Sequence, residues 1–150
     1  MNLVYRIATS TDLPLLNFLY AAMDDKPLLP EPQIAEIFAA IARVPDYSIY
    51  LAHLADQPNL EPVGTFSLLL TPTMMHRGFH KSAILDSVTV HPDYRSQGIG
   101  KAMMQKALQL SQEAGCYKVT LSSNVKRDRA HAFYESLGFK QHGWSFSCLL

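Results

Sequence analysis

The sequence predicts an α/β fold in a single domain over residues 1–150, with a sheet of mixed direction and helices covering it. Three observations carry this. Apolar residues switch between alternating and 3.6-residue spacing in the order β-α-α-β-β-β-α-β-α-β. The chain is 150 residues long and 48% hydrophobic, enough for one sizeable core and too apolar for a disordered chain. Finally, the β-branched run Val88-Thr89-Val90 stops near Pro92, turns through polar residues, and opens a long amphipathic helix at two glycines.

Taken in order, Leu3 to Ala8 reads as a strand ending at Thr9-Ser10-Thr11-Asp12. Asp12 is a suitable N-cap, with Leu15, Leu16, Phe18, Leu19 and Met23 following at helical spacing. Asp24-Asp25-Lys26-Pro27 and Pro30 break this helix. A second helix begins near Glu31-Pro32, carries Ile34, Ile37, Phe38 and Ile41 on one face, and stops before Pro45. Tyr47 to Leu54 alternates as a strand with Tyr47, Ile49, Leu51 and His53 on one side, and a turn from Asp56 to Pro62 leads into the strand Val63 to Leu70. A polar connection, Thr71 to Lys81, contains Met74, Met75, His76, Arg77 and His80. Ala83 to Val90 is the next strand. The helix after Gly98 places Ile99, Met103, Ala107, Leu110 and Ala114 on one stripe, with Gly115 as its stop. Tyr117 to Leu121 reads as a short strand, Arg129 to Leu137 as a helix stopped by Gly138, and Phe139 to Leu150 as one or two closing strands.

Thirteen basic and thirteen acidic residues cancel, so no global field favours nucleic acid or an anionic membrane. Cys116 and Cys148 lack metal-ligand spacing and read as free thiols of a reducing compartment. Met1 to Arg6 shows no basic region followed by an apolar run, and no stretch reaches the roughly 20 residues of a membrane helix. These features predict a cytoplasmic protein with no nucleic-acid or membrane partner.

Between Arg95 and Gly100 the spacing is Arg-x-x-Gly-x-Gly. The first N–H groups of a helix have no partner inside it and lie at the positive end of its dipole, so a pyrophosphate fits there. The order is wrong for a Rossmann fingerprint, and Gly100-Lys101 is followed by Ala102 where a Walker A loop needs Ser or Thr. A plain loop-to-helix start remains the alternative on this motif alone.

The stretch resembles the acetyl-CoA-binding motif of the GNAT N-acetyltransferase superfamily. About thirty residues on, Ala130-His131-Ala132-Phe133-Tyr134-Glu135-Ser136-Leu137-Gly138-Phe139 resembles that family's second signature, a helix carrying a tyrosine and ending in Leu-Gly-Phe. The resemblance covers residues 84 to 140 by motif and the first half by layout. It implies the GNAT fold, a mixed, mostly antiparallel twisted sheet of six to seven strands flanked by about four helices. It also implies acetyl-CoA as co-substrate. The backbone of Val88 and Val90 would bind the pantetheine arm, with Val90 N–H on the thioester carbonyl. The amides of Ser96, Gln97, Gly98, Ile99 and Gly100 would hold pyrophosphate, with charge from Arg95 or Lys101. Asn124 would bond the pantetheine amides, although the position seven before the tyrosine, where many members carry asparagine, is Arg127 here.

Tyr134 is the resemblance's general acid. An unperturbed phenol titrates near pH 10 and so holds a proton for a departing thiolate. The base is open between Asp86, His131 and water. On a regular strand Asp86, Val88 and Val90 share one face, subject to any bulge. His76, His80 and His91 have no spacing that argues for a metal, and none is expected. Segments around Ser122 to Arg127 are most similar to small bacterial aminoalkylphosphonate N-acetyltransferase-type members. Acceptor pockets in the family would draw here on Tyr20, Asp24, Asp25, the Thr71 to Lys81 loop and Trp144, with Asp24 and Asp25 serving either to hold an amine or to end a helix. The expected activity is acetyl transfer to a primary amine of a small molecule. The alternatives are a protein or peptide acceptor, or an acyl-CoA-binding sensor without turnover. The oligomeric state is open, a homodimer included.

Overall fold

Five strands form one sheet in the order β1-β2-β3-β4-β5, and the sequence accounts for most of their limits. The computed structural model describes residues 2–57, 61–74 and 77–150; Met75 and His76 of the expected connection lie outside the described residues. The chain divides into two compact units, Met1–Thr120 and Leu121–Leu150.

In the first unit, β1 (Leu3–Ile7), β2 (Tyr47–Leu54), β3 (Gly64–Pro72) and β4 (Lys81–Val90) run antiparallel to their neighbours, and β5 (Val119–Thr120) pairs parallel with β4. Helix α1 (Leu13–Asp24) and helix α2 (Glu31–Ala42) lie over one face; helix α3 (Ile99–Glu113) covers the other. The first face is sealed by Ala8, Leu13, Leu16, Ile34, Ile49 and Leu51, with Tyr20, Phe38 and Ile41 packed against them. On the second face Gly64 meets Met103: a Cβ added at Gly64 would stand 2.8 Å from Met103 Sδ and 2.9 Å from Thr89 O. That missing side chain lets α3 approach the end of β4 closely. Leu16, Leu51, Phe66, Leu85, Ile99, Met103 and Met104 are fully buried, each contributing about 1.5–3 kcal/mol through removal of apolar surface from water.

Asp12 sits at the N-cap of α1 as expected, but its carboxylate does not cap that helix. It accepts Thr9 N–H at 2.8 Å and a two-pronged pair from Arg6 at 2.7 and 2.8 Å. The Arg6 guanidinium thereby holds the Asp12 carboxyl down at about 2. Asp25 ends α1 in the left-handed region, φ 52°, with its N–H on Ala21 O. The helix-ending reading of the Asp24-Asp25 pair is therefore the one the backbone realises. The Thr71 to Lys81 connection is narrower than expected, since β3 runs to Pro72 and β4 begins at Lys81, with Thr73 N–H on His80 O at 2.7 Å.

The second unit holds helix α4 (Asp128–Ser136), and Gly138 follows it at φ 90° as a left-handed stop. The expected closing strands over Phe139 to Leu150 are not formed: no strand is described there, and Trp144, Phe146, Leu149 and Leu150 are exposed. The sheet therefore has five strands instead of six to seven. Alternation from Trp144 to Cys148 gives a strand propensity, but a strand also needs a neighbour to accept its ladder.

Candidate active site

The site begins at the outer edge of β4. Pairing with β5 is confined to Ala83↔Val119 and Ile84↔Thr120. Beyond it, Leu85 to Val90 has no partner strand on that side among the described residues, while β3 pairs along the opposite edge as far as Gly64↔Val90. His91 N–H turns inward to Val63 O at 2.9 Å. Since amides alternate along a strand, Val90 N–H and C=O turn outward to the open edge. The carbonyl is already engaged there, accepting from Arg95 Nε at 3.3 Å.

A bulge interrupts β4 beside this edge. Thr65 pairs with Thr89 and Ser67 with Asp86, so two steps on β3 oppose three on β4, and Ser87 takes the left-handed φ of 52°. The bulge overturns the expectation that Asp86, Val88 and Val90 share a face. Asp86 and Thr89, paired with Ser67 and Thr65, face α1, whereas Val88 and Val90 lie on the α3 side with Gly64. The left-handed serine is costly by about 1–2 kcal/mol, and Asp86 Oδ1 offsets part of this by accepting Ser87 N–H at 2.7 Å.

After β4 the chain makes a short turn of helix at Pro92–Tyr94, capped by His91, whose Nδ1 accepts Asp93 N–H at 3.3 Å. His91 also packs between Phe18 of α1 and Tyr94, with ring centroids 5.2 and 5.7 Å apart. The loop then passes through two left-handed residues, Ser96 at φ 61° and Gly98 at φ 83°. Such alternation gathers successive N–H groups on one side, as in anion-binding nests. The first bond closing α3 is donated by Ala102 to Gly98 O at 3.1 Å, so the amides of Ile99, Gly100 and Lys101 precede the helical ladder and stand at its positive end. Gln97 Nε2 braces the loop from within on Asp93 O at 3.3 Å. Arg95 and Gln97 are thus scaffold side chains, and the backbone is what the loop presents.

Facing α1, the sheet carries a buried polar row that sequence reasoning missed. Thr65, Ser67 and Thr89 are all buried. Ser67 Oγ donates to Asp86 O at 3.1 Å and Thr65 Oγ1 to Tyr50 O at 2.8 Å. Burial pushes the Tyr20 phenol up to about 12, with the Asp86 carboxylate adding to the rise and the Thr65 hydroxyl opposing it. Serine and threonine in a strand look alike whether or not they are buried, and no local pattern marks the difference.

In the second unit, Asn124 is a turn-forming residue: its Oδ1 accepts Lys126 N–H at 2.9 Å, and its carbonyl accepts Arg127 N–H at 3.0 Å. His131 Nε2 lies 2.9 Å from the same carbonyl. A carbonyl only accepts, so this nitrogen carries a hydrogen and the lone pair of the neutral ring lies on Nδ1. Tyr134 stands in α4 between Phe133 and Phe139, centroids 5.6 and 6.2 Å away. The structure thus groups Asp86, Val88, Val90 and Arg95 to Lys101 in the first unit, and Asn124, His131 and Tyr134 in the second. Among the described residues no cluster of His, Cys, Asp and Glu could hold a metal ion, and no helix is long and apolar enough to cross a membrane.

A sequence profile described as "Acetyltransferase (GNAT) family" matches residues 15–139. The chain is 32% identical to a glucosamine 6-phosphate N-acetyltransferase of Trypanosoma brucei brucei over 95% of this chain and 92% of that one. Among solved structures, a Trypanosoma brucei acetyltransferase superposes with a TM-score of 0.80 at 30% identity, covering 99% and 100% of the two chains. A transcriptional regulator from Bacillus halodurans C-125 gives 0.86 at 25% identity, with 99% and 100% covered.

Proposed function

The chain belongs to the acetyltransferase (GNAT) family and is an acetyl-CoA-dependent N-acetyltransferase, and from this premise we propose that its acceptor is the primary amine of a small phosphorylated molecule, glucosamine 6-phosphate first among them. The named relative that matches nearly end to end supports the acceptor class. The observation that carries the mechanism is the open edge of β4 leading into the amide cradle at the start of α3.

The reading takes residues 1–150 as one catalytic domain. The pantetheine arm lies along Leu85 to Val90 as an added strand, and Val90 N–H polarises the thioester carbonyl, an interaction that strengthens as charge develops on its oxygen. Pyrophosphate rests on the amides of Ser96, Gln97, Gly98, Ile99 and Gly100, with the ammonium of Lys101 adding charge. The carboxamide of Asn124 bonds a pantetheine amide. Asp86 draws the proton from the acceptor ammonium, directly or through water; the neutral nitrogen attacks the acetyl carbon, and the C–N bond forms as the C–S bond breaks. Tyr134 gives its phenolic proton to the leaving thiolate. Asp86 is preferred over His131 because its carboxylate is carried by β4 itself, on the strand whose open edge would hold the pantetheine arm.

The test is thiol release from acetyl-CoA across glucosamine 6-phosphate, an aminoalkylphosphonate, free amino acids and short peptides. Release with the phosphorylated amines supports the proposal. Release with peptides alone would shift the acceptor to proteins. CoA binding without release for any amine would leave an acyl-CoA sensor.

A further inference from the structure

Resting on the reading of the Arg95 to Gly100 loop as a pyrophosphate cradle, we infer that His91 is the positioning residue of that cradle. Its imidazole Nδ1, as the acceptor that caps the turn before the loop, sets how tightly CoA is held. The turn leaves one amide to a side chain. Pro92 has no N–H, Tyr94 N–H goes to His91 O at 2.9 Å, and Arg95 N–H goes to Pro92 O at 3.4 Å. Asp93 N–H goes to His91 Nδ1 at 3.3 Å. An amide can only donate there, so Nδ1 carries the lone pair of a neutral ring and Nε2 the hydrogen. The Asp93 carboxylate stands 3.9 Å from the same nitrogen, but that side chain is 83% exposed and its charge is met by water. What the ring holds is the backbone.

That backbone leads directly into the cradle. Asp93 O accepts from Gln97 Nε2 at 3.3 Å, and Gln97 lies between the two left-handed residues that shape the loop, Ser96 at φ 61° and Gly98 at φ 83°. A left-handed serine is disfavoured on its own, so the loop keeps this shape only while it is braced. Two braces come from exposed side chains, Gln97 on Asp93 O and Arg95 Nε on Val90 O at 3.3 Å, and water competes for both. His91 differs. Its side chain is only 15% exposed, and its ring lies between Phe18 of α1 and Tyr94, with centroids 5.2 and 5.7 Å away. Its own N–H is fixed on Val63 O at 2.9 Å. The acceptor is thus held in place by α1 and by the segment before β3, both far from the loop in sequence. A cradle that keeps its shape when empty binds without first being ordered. One that has lost its brace must recover the shape on binding, and that cost appears as weaker affinity.

Three substitutions separate the acceptor from the ring. In asparagine Oδ1 is bonded to Cγ just as Nδ1 is in histidine, so His91→Asn keeps the acceptor and removes the ring. His91→Phe keeps the ring between Phe18 and Tyr94 and removes the acceptor, and His91→Ala removes both. The measurement is calorimetric titration with CoA, which needs no acceptor amine, with thermal unfolding alongside. His91→Asn should bind within about twofold of the wild type, whereas His91→Phe and His91→Ala should bind about fivefold more weakly, the loss of one helix N-cap. A role in packing alone would rank the variants by the ring, with phenylalanine nearest to wild type and asparagine grouped with alanine. That order overturns the inference, and so do folded asparagine and alanine variants of equal affinity. The comparison of asparagine with alanine decides the matter even where His91→Phe fails to fold. If the wild type binds CoA and the variants do not differ, only the His91 assignment falls and the cradle stands. If the wild type itself binds no CoA, the cradle reading falls with it.

Discussion

Replacing Gly98 isolates the backbone of the loop from everything else in the site. Gly98 caps α3 at φ 83°, and a Cβ built there meets no atom within 4 Å. A substitution therefore introduces no clash, and its whole cost is conformational. A left-handed non-glycine residue costs about 1–2 kcal/mol, with a β-branched side chain at the upper end. If the loop relaxes when empty and must return to this geometry to seat pyrophosphate, that strain appears in binding. It then corresponds to roughly 5- to 30-fold weaker CoA affinity for Gly98→Val. Asparagine tolerates the left-handed region better, so Gly98→Asn should fall between wild type and valine. Isothermal titration with CoA measures this, with thermal unfolding as the companion. A lower melting temperature with unchanged affinity would keep the strain but remove the loop from CoA binding. A folded valine variant that matches wild type in both would refute the reasoning altogether.

Tyr134→Phe keeps the contacts with Phe133 and Phe139 but removes the acid proton, so kcat should fall roughly 100-fold or more while CoA affinity holds; wild-type turnover with chemistry rate-limiting would move the role elsewhere. Asp86→Asn retains an oxygen for Ser87 N–H, so the bulge should survive while kcat/KM falls most at low pH, where the amine is an ammonium. Asp86→Ala should also lower the melting temperature, and superimposable pH–rate profiles for the asparagine variant would leave Asp86 a purely structural residue. The Arg6 pair sets a separate pH dependence. The Asp12 carboxyl is held at about 2 against an ordinary 3.8, so its contribution is present above about pH 4 and is lost as pH falls toward 2. The shift alone corresponds to about 2.5 kcal/mol. Solvent screening at Arg6, whose side chain is 44% exposed, reduces the expected value to about 1 kcal/mol. Denaturant unfolding at pH 6 and pH 3 should show roughly half of this loss in the wild type, the remainder going below pH 3, and an Asp12→Asn variant with the same slope would count against it.

Local signals determined much of this protein. Pro30 and Pro45 bracket α2, Gly115 and Gly138 end their helices in left-handed geometry, and β4 running into Gly98 marks the glycine loop that opens α3. All of these depend on what one residue's backbone can adopt, which the residue type itself restricts. The tertiary structure alone decided features that depend on a partner distant in sequence. The Ser87 bulge arises from how β4 registers against β3, and it turns Asp86 away from the face it would share with Val88 and Val90 on a regular strand. Asp12 serves Arg6 and Thr9 instead of its own helix because β1 brings the guanidinium there. His131 Nε2 is taken up by a carbonyl seven residues away, which fixes its tautomer with the lone pair on Nδ1. The alternation after Phe139 named strands that the described residues do not form, because a strand is a relation between two segments and the sequence of one cannot supply the other.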